Sequence, residues 1–189
     1  METKPSKGPA SPKTDVKQMT RIALLTAVVA VSAQIAVPMP SGVPVTLQTF
    51  AVALCGYLLG VKGGLIAMGV YLLLGAVGAP VFASFTGGFQ KFAGPTGGFL
   101  WGFLPLVALC GVGRAKAAWL SILLGLAGLL LCHALGVTQF ALLGGKSFFA
   151  SAALTSLPFL VKDALSVAGA FALGKLLERR MHFGKARGA

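Results

Sequence analysis

Two adjacent ionisable residues, Lys162 and Asp163, lie inside a long apolar stretch near the C-terminal end of the chain, and Asp163 is the only acidic residue within any apolar block. A charge at the centre of a membrane span costs about 2.5–3.5 kcal/mol on insertion scales, so such residues usually face a protein interior or a watery cavity. Neighbouring residues point about 100° apart on a helix, which favours separate partners for these two charges. We therefore expect a ligand or transport site here, with a structural ion pair between helices as the alternative.

Residues 37–49 read VPMPSGVPVTLQT and add polar groups to this candidate site. The prolines rigidify the segment and prevent either flanking helix from continuing through it. Thr46 and Gln48 then enter the next apolar block as polar groups. We expect a polar contact with a ligand that enters from outside, and helix capping by Thr46 is the alternative.

The longest loop, residues 80–98, reads PVFASFTGGFQKFAGPTGG and combines paired glycines with phenylalanines. A flexible solvated linker would be rich in Gly and Ser and poor in Phe. Irregular backbone at membrane depth is tolerated where it is buried in protein or lines a cavity. We predict that this loop packs onto the helices as a lid, with an interfacial aromatic belt as the alternative.

Other reactive residue types do not indicate an enzyme or a metal protein. Cys55, Cys110 and Cys132 lie inside apolar blocks without metal or redox spacing, which favours a packing role. His133 is expected to be a packed or hydrogen-bonded histidine. The run GGKS at 144–147 lacks the first glycine of a nucleotide-binding P-loop. A membrane-embedded enzyme would need a nucleophile–base pair or a metal cluster, so we expect no catalytic residues, metal or cofactor.

The elements that position these residues are predicted to be membrane-spanning helices. The chain is 56% hydrophobic and 11% charged, with a mean hydropathy of +0.87, whereas a soluble domain carries about 25% charged residues. A span needs roughly 20 apolar residues. Six apolar blocks lie near 21–38, 45–61, 63–80, 98–113, 116–136 and 148–177. Their continuous apolar character argues against a β-barrel. We predict an all-α six-transmembrane-helix domain at 21–180, with a disordered basic tail and no signal peptide at 1–20, and a basic tail at 181–189.

The net charge of +12 fits membrane orientation better than nucleic-acid binding. With six spans, most cations fall on one side: Lys4, Lys7, Lys13, Lys17, Arg21, Lys62, Arg114, Lys116, Lys175, Arg179, Arg180, Lys185 and Arg187. Only Lys91 and Lys146 fall on the other side. Because Lys and Arg near short loops are retained in the cytoplasm, we predict a multi-pass protein of the cell (inner) membrane with both termini cytoplasmic and the 80–98 loop outside.

Three runs of this sequence resemble the BioY family: VPVTLQTFAVALCGYLLG, GAPVFASFTGGFQKFAGPTGGFLWGF and GVTQFALLGGKSFFASAALTSLPFLVKDAL. The resemblance covers residues 21–180. It implies the substrate-binding (S) component of an energy-coupling-factor biotin transporter, with biotin bound near the outer face. It also implies two kinds of partner, a transmembrane coupling (T) protein and cytoplasmic ATPases. The small residues Ala23 and Ala27, one helical turn apart, would then form the docking surface for the T protein.

The resemblance also implies an Asp followed three residues later by a Lys in the last helix. Asp163 matches the first position, but the second is Ser166. Lys162 lies one helical turn before Ser166, and a long lysine side chain can reach across that turn. We therefore expect Lys162 to replace the shifted cation, with Lys91 as the next candidate.

A biotin site needs acceptors for the ureido N–H groups, donors for the ureido carbonyl and the carboxylate, and an apolar wall. Asp163 is the predicted acceptor. The predicted donors are Lys162, Ser84, Thr86 and Gln48, and the predicted wall residues are Phe82, Phe85 and Tyr71. The alternatives are an S component for another small vitamin, or a membrane scaffold subunit.

Overall fold

The computed structural model describes residues 16–183, which form a mostly helical protein. In chain order the elements are α1 (Val16–Gln34), β1 (Ala36–Val37), β2 (Val45–Thr46), α2 (Gln48–Ala76), a 3₁₀ turn (Ala83–Phe85), α3 (Gln90–Ala93), α4 (Gly97–Gly113), α5 (Ala118–Gly144), α6 (Phe148–Thr155) and α7 (Leu157–Phe183). The predicted tails lie largely outside the described residues. Within them, α1 begins five residues before the predicted start of the first block, and α7 continues past the predicted end of the last.

Among residues 16–183, four helices are long and apolar enough to cross a membrane: α1, α2, α5 and residues 157–180 of α7. The helix α4 is apolar but shorter. Pro105 lies inside α4, where it removes one backbone donor. These lengths and this composition make the chain a multi-pass membrane protein.

The helix α2 is not one straight rod, because Gly60 interrupts it with φ 71° and ψ −176°. The two arms, residues 48–59 and 61–76, pack against each other. Gln48 Nε2 lies 2.6 Å from the hydroxyl of Tyr71, although 23 residues of straight helix would separate them by about 34 Å. A Cβ on Gly64 would lie 3.5 Å from Gly56 Cα. The backbone thus reverses at a glycine that can adopt positive φ.

The helix α4 packs between α2 and α5, while α1 and α7 pack against α2 from other sides. Glycines allow this close approach. A Cβ on Gly98 would lie 2.3 Å from the Leu135 carbonyl oxygen, and one on Gly102 would lie 2.6 Å from Cys132 Cα. Small residues bring helix backbones together in lipid, where van der Waals packing rather than hydrophobic burial drives association.

Two irregular segments meet at one end of the helices, which we call the cavity end. The 37–49 segment takes part in the antiparallel β1–β2 pair, in which Val37 faces Val45. In the 80–98 loop, Phe82 and Phe92 are buried and their rings contact edge to face at 5.7 Å. Phe85 and Phe89 are exposed. Part of this loop therefore packs onto the helices.

Candidate ligand-binding site

A cavity of about 230 Å³ lies at the cavity end, between the two irregular segments and helices α4, α5 and α7. Seven of the nine predicted ligand-binding residues line it: Gln48, Phe82, Ser84, Thr86, Lys91, Lys162 and Asp163. The other two, Phe85 and Tyr71, do not line it. Residues more than 100 positions apart in the chain therefore share one cavity.

Asp163 carries the buried negative charge of the site and is only 5% exposed. Its Oδ1 forms an ion pair with Lys162 Nζ, and its Oδ2 lies 3.3 Å from His133 Nε2. The Oδ1 atom accepts no hydrogen bond of good geometry. Since each carboxylate oxygen has two lone pairs, Asp163 retains the capacity to accept an N–H group from a ligand in the cavity.

The expectation that Lys162 and Asp163 would have only separate partners is wrong, because they pair with each other. The long, flexible lysine side chain overcomes the unfavourable spacing of neighbouring positions. Lys162 Nζ also donates to the carbonyl oxygen of Thr46 at 2.7 Å. An ammonium group has three donors, so one donor remains for a ligand.

His133 is a member of the site that the sequence prediction missed. Its Nδ1 lies 2.8 Å from Ser156 Oγ, and its Nε2 faces Asp163. A neutral imidazole suits both contacts when Nε2–H donates to the carboxylate and the Ser156 hydroxyl donates to Nδ1. His133 was correctly expected to be hydrogen-bonded, but its partners are 23 and 30 positions away. Only its polarity within an apolar helix could have indicated its place.

Tyr71 supports the site from behind the cavity wall. It is fully buried, and its hydroxyl accepts from Gln48 Nε2 and donates to the Val81 carbonyl oxygen at 3.2 Å. The Oε1 atom of Gln48 accepts from the Thr46 hydroxyl at 3.2 Å. The tyrosine thus holds a residue that lines the cavity and contacts the beginning of the 80–98 loop.

Phe85 points away from the cavity and is 72% exposed. Ser84 and Phe85 both have positive φ, at 58° and 54°, an uncommon and strained conformation for residues other than glycine. Gln34 secures this turn, because its Oε1 accepts from the Phe85 backbone N–H at 2.8 Å and its Nε2 donates to the Phe82 carbonyl oxygen at 3.2 Å. The strained turn keeps Ser84 in the cavity lining.

The apolar wall comes mainly from the helices rather than from the loop. Phe99 and Phe103 of α4, Leu129 of α5 and Phe159 of α7 line the cavity. These positions lie inside continuously apolar blocks, where hydropathy alone does not distinguish a wall residue from a lipid-facing one. The site therefore combines an apolar wall with a few convergent polar groups, as small-molecule sites generally do.

Ala23 and Ala27 lie on α1 away from the cavity lining, and both are exposed. Leu24 and Val31 are also exposed on this helix, at 64% and 65%. This face of α1 is therefore open within the chain.

A family model, curated relatives and a solved structure all relate this chain to biotin transporter proteins. A family model for the BioY family matches residues 3–183. The chain is 37% identical over 162 residues to the probable biotin transporter BioY of Pyrococcus horikoshii, covering 86% of this chain and 96% of that protein. It is 43% identical over 125 residues to the biotin transporter BioY of Thermotoga maritima, covering 65% of this chain and 73% of that protein. The fold is similar to a crystal structure of the S-component for biotin from an ECF-type ABC transporter, with a TM-score of 0.81, 24% identity, and coverage of 89% and 94% of the two chains.

Proposed function

Because this chain belongs to the BioY family, we propose that it is a biotin-binding S component that captures biotin in the Asp163 cavity. The observation that carries this proposal is a buried carboxylate that faces a small cavity and is flanked by Lys162 and His133. The function is transport, and no covalent chemistry takes place at the site.

The cavity groups match the chemistry of biotin. Asp163 accepts from the ureido N–H groups, and a buried acceptor of this kind discriminates against analogues that leave it unpaired. Lys162, with one free N–H, donates to the ureido carbonyl or to the carboxylate. Gln48 and Ser84 provide further polar contacts, and Lys91 is a second cation for the carboxylate end. Phe82 and the helix phenylalanines cover the thioether ring.

We further propose six membrane crossings by α1, the two arms of α2, α4, α5 and α7. The arms of α2 are about 18 Å and 24 Å long at 1.5 Å per residue. Each is shorter than a roughly 30 Å hydrocarbon core, so the residues that flank each arm complete its crossing. Lys62 and Arg114 lie near the Gly60 reversal, at the end away from the cavity. By the retention of cations in the cytoplasm, that end and both termini are cytoplasmic, and the cavity opens outward.

Two kinds of partner follow from this function. Ala23 and Ala27 form the docking surface for a T protein, because exposed small residues one turn apart allow another helix to approach closely. Cytoplasmic ATPases then supply the energy for inward release. The chain resides in the cell (inner) membrane.

The deciding experiment measures labelled biotin binding to the purified protein, with unlabelled biotin and other small vitamins as competitors. We expect saturable binding that biotin alone displaces. Displacement by a different vitamin instead of biotin would assign the site to that vitamin.

The matched site variants are Asp163→Asn and Lys162→Ala, assayed both for binding and for biotin uptake by cells. Both variants should lose ligand uptake. If uptake remains at the wild-type level in both, the chain acts as a scaffold subunit and the binding proposal fails.

A further inference from the structure

A second concave surface lies at the end of the helices opposite the cavity, where the beginning of α5 meets the last turns of α7. It is a groove of about 460 Å³. The lining residues that matter here are Lys116, Ala118, Phe171, Lys175, Leu176 and Arg179. The apolar residues Ala118, Phe171 and Leu176 form the floor of the groove, and the cations Lys116, Lys175 and Arg179 surround one end of it.

The cations at this groove exceed the acidic residues available to them. Residues 16–183 contain only two acidic side chains, and Glu178 is the one at this end. It lies 2.8 Å from Arg114 Nε and 3.5 Å from Lys175 Nζ. Lys116 and Arg179 are exposed and form no ion pair with an acidic residue of the described range. They constitute a positive charge that the fold itself does not neutralise.

In the membrane orientation proposed above, on which this inference rests, the groove lies at the depth of lipid headgroups. Trp119, next to its floor, is 69% exposed, and exposed tryptophans are enriched at the membrane–water interface. Lys116 lies three residues before Trp119 and just outside the N-terminal end of α5, so it is farther from the bilayer core than Trp119. Phe171 lies about 12 Å further along α7 towards the bilayer than Arg179, at 1.5 Å per residue. The charges therefore lie at headgroup level, and the apolar floor lies at acyl-chain level.

We propose that this groove binds an anionic phospholipid, with its phosphate between Lys116 and Arg179 and an acyl chain along Phe171 and Leu176. Basic pockets between helices on the cytoplasmic side are suited to such headgroups. A lipid satisfies both parts of the groove at once. A soluble phosphate compound would leave the floor uncovered, and an acidic segment of a partner protein would place polar backbone at acyl-chain depth. Lys175 already pairs with Glu178 and donates to the Arg114 carbonyl oxygen at 3.0 Å, so we do not assign it to the phosphate.

The test titrates phosphatidylglycerol into the purified, detergent-solubilised full chain and follows retained lipid by native mass spectrometry and stabilisation by thermal unfolding. Phosphatidylcholine and inorganic phosphate are titrated in parallel. The test variant is Lys116→Gln/Arg179→Gln. The matched control, Lys62→Gln/Arg180→Gln, removes the same charge from exposed positions at the same end, outside the groove.

We expect saturable phosphatidylglycerol binding that weakens about 30-fold in the test variant and less than threefold in the control. This corresponds to about 1 kcal/mol for each cation near the membrane surface. Equal losses in both variants would overturn the proposal, since general surface charge would then explain the binding. Equal retention of phosphatidylcholine would overturn the role of the anionic phosphate. Displacement of the lipid by inorganic phosphate at similar concentration would overturn the lipid and assign the groove to a soluble phosphate compound.

Discussion

Replacing Lys162 with methionine separates two roles that this residue has in the structure. Its Nζ neutralises Asp163 and donates to the Thr46 carbonyl oxygen, while one N–H remains free to contact biotin. If Lys162 served only as the counterion of Asp163, the ureido N–H groups of biotin would replace it in the variant, and affinity would hold or rise. If Lys162 also contacts biotin, as we propose, affinity falls.

The exposed fractions of the two side chains give the size of both effects. The Asp163 side chain is 7% exposed and that of Lys162 is 35% exposed, so the pair lies between a buried one, whose disruption costs about 3–5 kcal/mol, and a surface one worth about 0–1 kcal/mol. We expect the ligand-free variant to lose about 2 kcal/mol of stability, equivalent to a melting temperature about 4–8 °C lower. A hydrogen bond from a charged group contributes about 1.5–3 kcal/mol, so the Kd for biotin should rise about 10- to 150-fold.

Equilibrium binding of labelled biotin to purified Lys162→Met measures the Kd, and thermal unfolding without ligand measures the stability loss. Lys91→Met is the matched control, because Lys91 lines the same cavity but forms no ion pair with Asp163. It should retain the wild-type melting temperature. A Kd for Lys162→Met within threefold of wild type, in a protein with the lowered melting temperature, would refute the ligand contact.

Moving the cation provides a rescue test. Ser166 lies three residues after Asp163, on the same helix face and half-buried. In Lys162→Met/Ser166→Lys, the lysine occupies the position that the family resemblance leads us to expect. Recovery of binding to within about tenfold of wild type would show that the cation matters more than its exact place in the helix. No recovery, with the melting temperature restored, would show that the additional bond to Thr46 is required.

Substitutions at three further positions test other contacts. His133→Gln removes the imidazole between Ser156 and the site carboxylate, and biotin binding should weaken about tenfold, with a smaller loss than in His133→Phe, which leaves both partners unpaired. Tyr71→Phe removes the hydroxyl that accepts from Gln48, and the Kd should rise about five- to tenfold while circular dichroism shows unchanged helix content. Gly102→Ala inserts a methyl group 2.6 Å from a Cα of α5, and thermal unfolding should show a loss of about 1–3 kcal/mol; an unchanged melting temperature would contradict the tight α4–α5 contact.

The sequence predicts the helices well where apolar blocks are bounded by polar or Gly/Pro-rich breaks. The family resemblance and the transport function are confirmed by the family match and the relatives. The boundary between the second and third predicted blocks, near residue 62, shows how an apolar pattern relates to the backbone. The two predicted blocks at 45–61 and 63–80 form one assigned helix, yet Gly60 reverses its direction, as a break between blocks requires. The start of α1 at Val16 was missed, because its N-terminal end contains the polar residues Lys17, Gln18 and Thr20 and hydropathy marks only the apolar part of a helix.

The site was predictable where a polar residue stands out against an apolar background, as Asp163, Lys162 and Gln48 do. It was less predictable where the choice is among similar residues. Phe82 lines the cavity and Phe85 does not, and the turn that joins them has positive φ at Ser84 and Phe85. No pattern in the sequence specifies that turn, since its conformation depends on the distant side chain of Gln34.

Side chains from several helices hold the two irregular segments around the cavity, among them Gln139 of α5, whose Nε2 donates to the Phe92 and Gly94 carbonyl oxygens at 2.7 Å and 2.8 Å. Lys162 binds the 37–49 segment to α7, and Gln34 binds the 80–98 loop to α1. The Gln48–Tyr71 pair lies between them and contacts Val81. We expect ligand access to involve movement of these segments, because the α4 wall packs closely on α5 through its glycines. Lys162 both neutralises the ligand-facing carboxylate and binds the Thr46 carbonyl oxygen of the 37–49 segment, so we expect a change at this ammonium group to affect ligand binding and the position of that segment together.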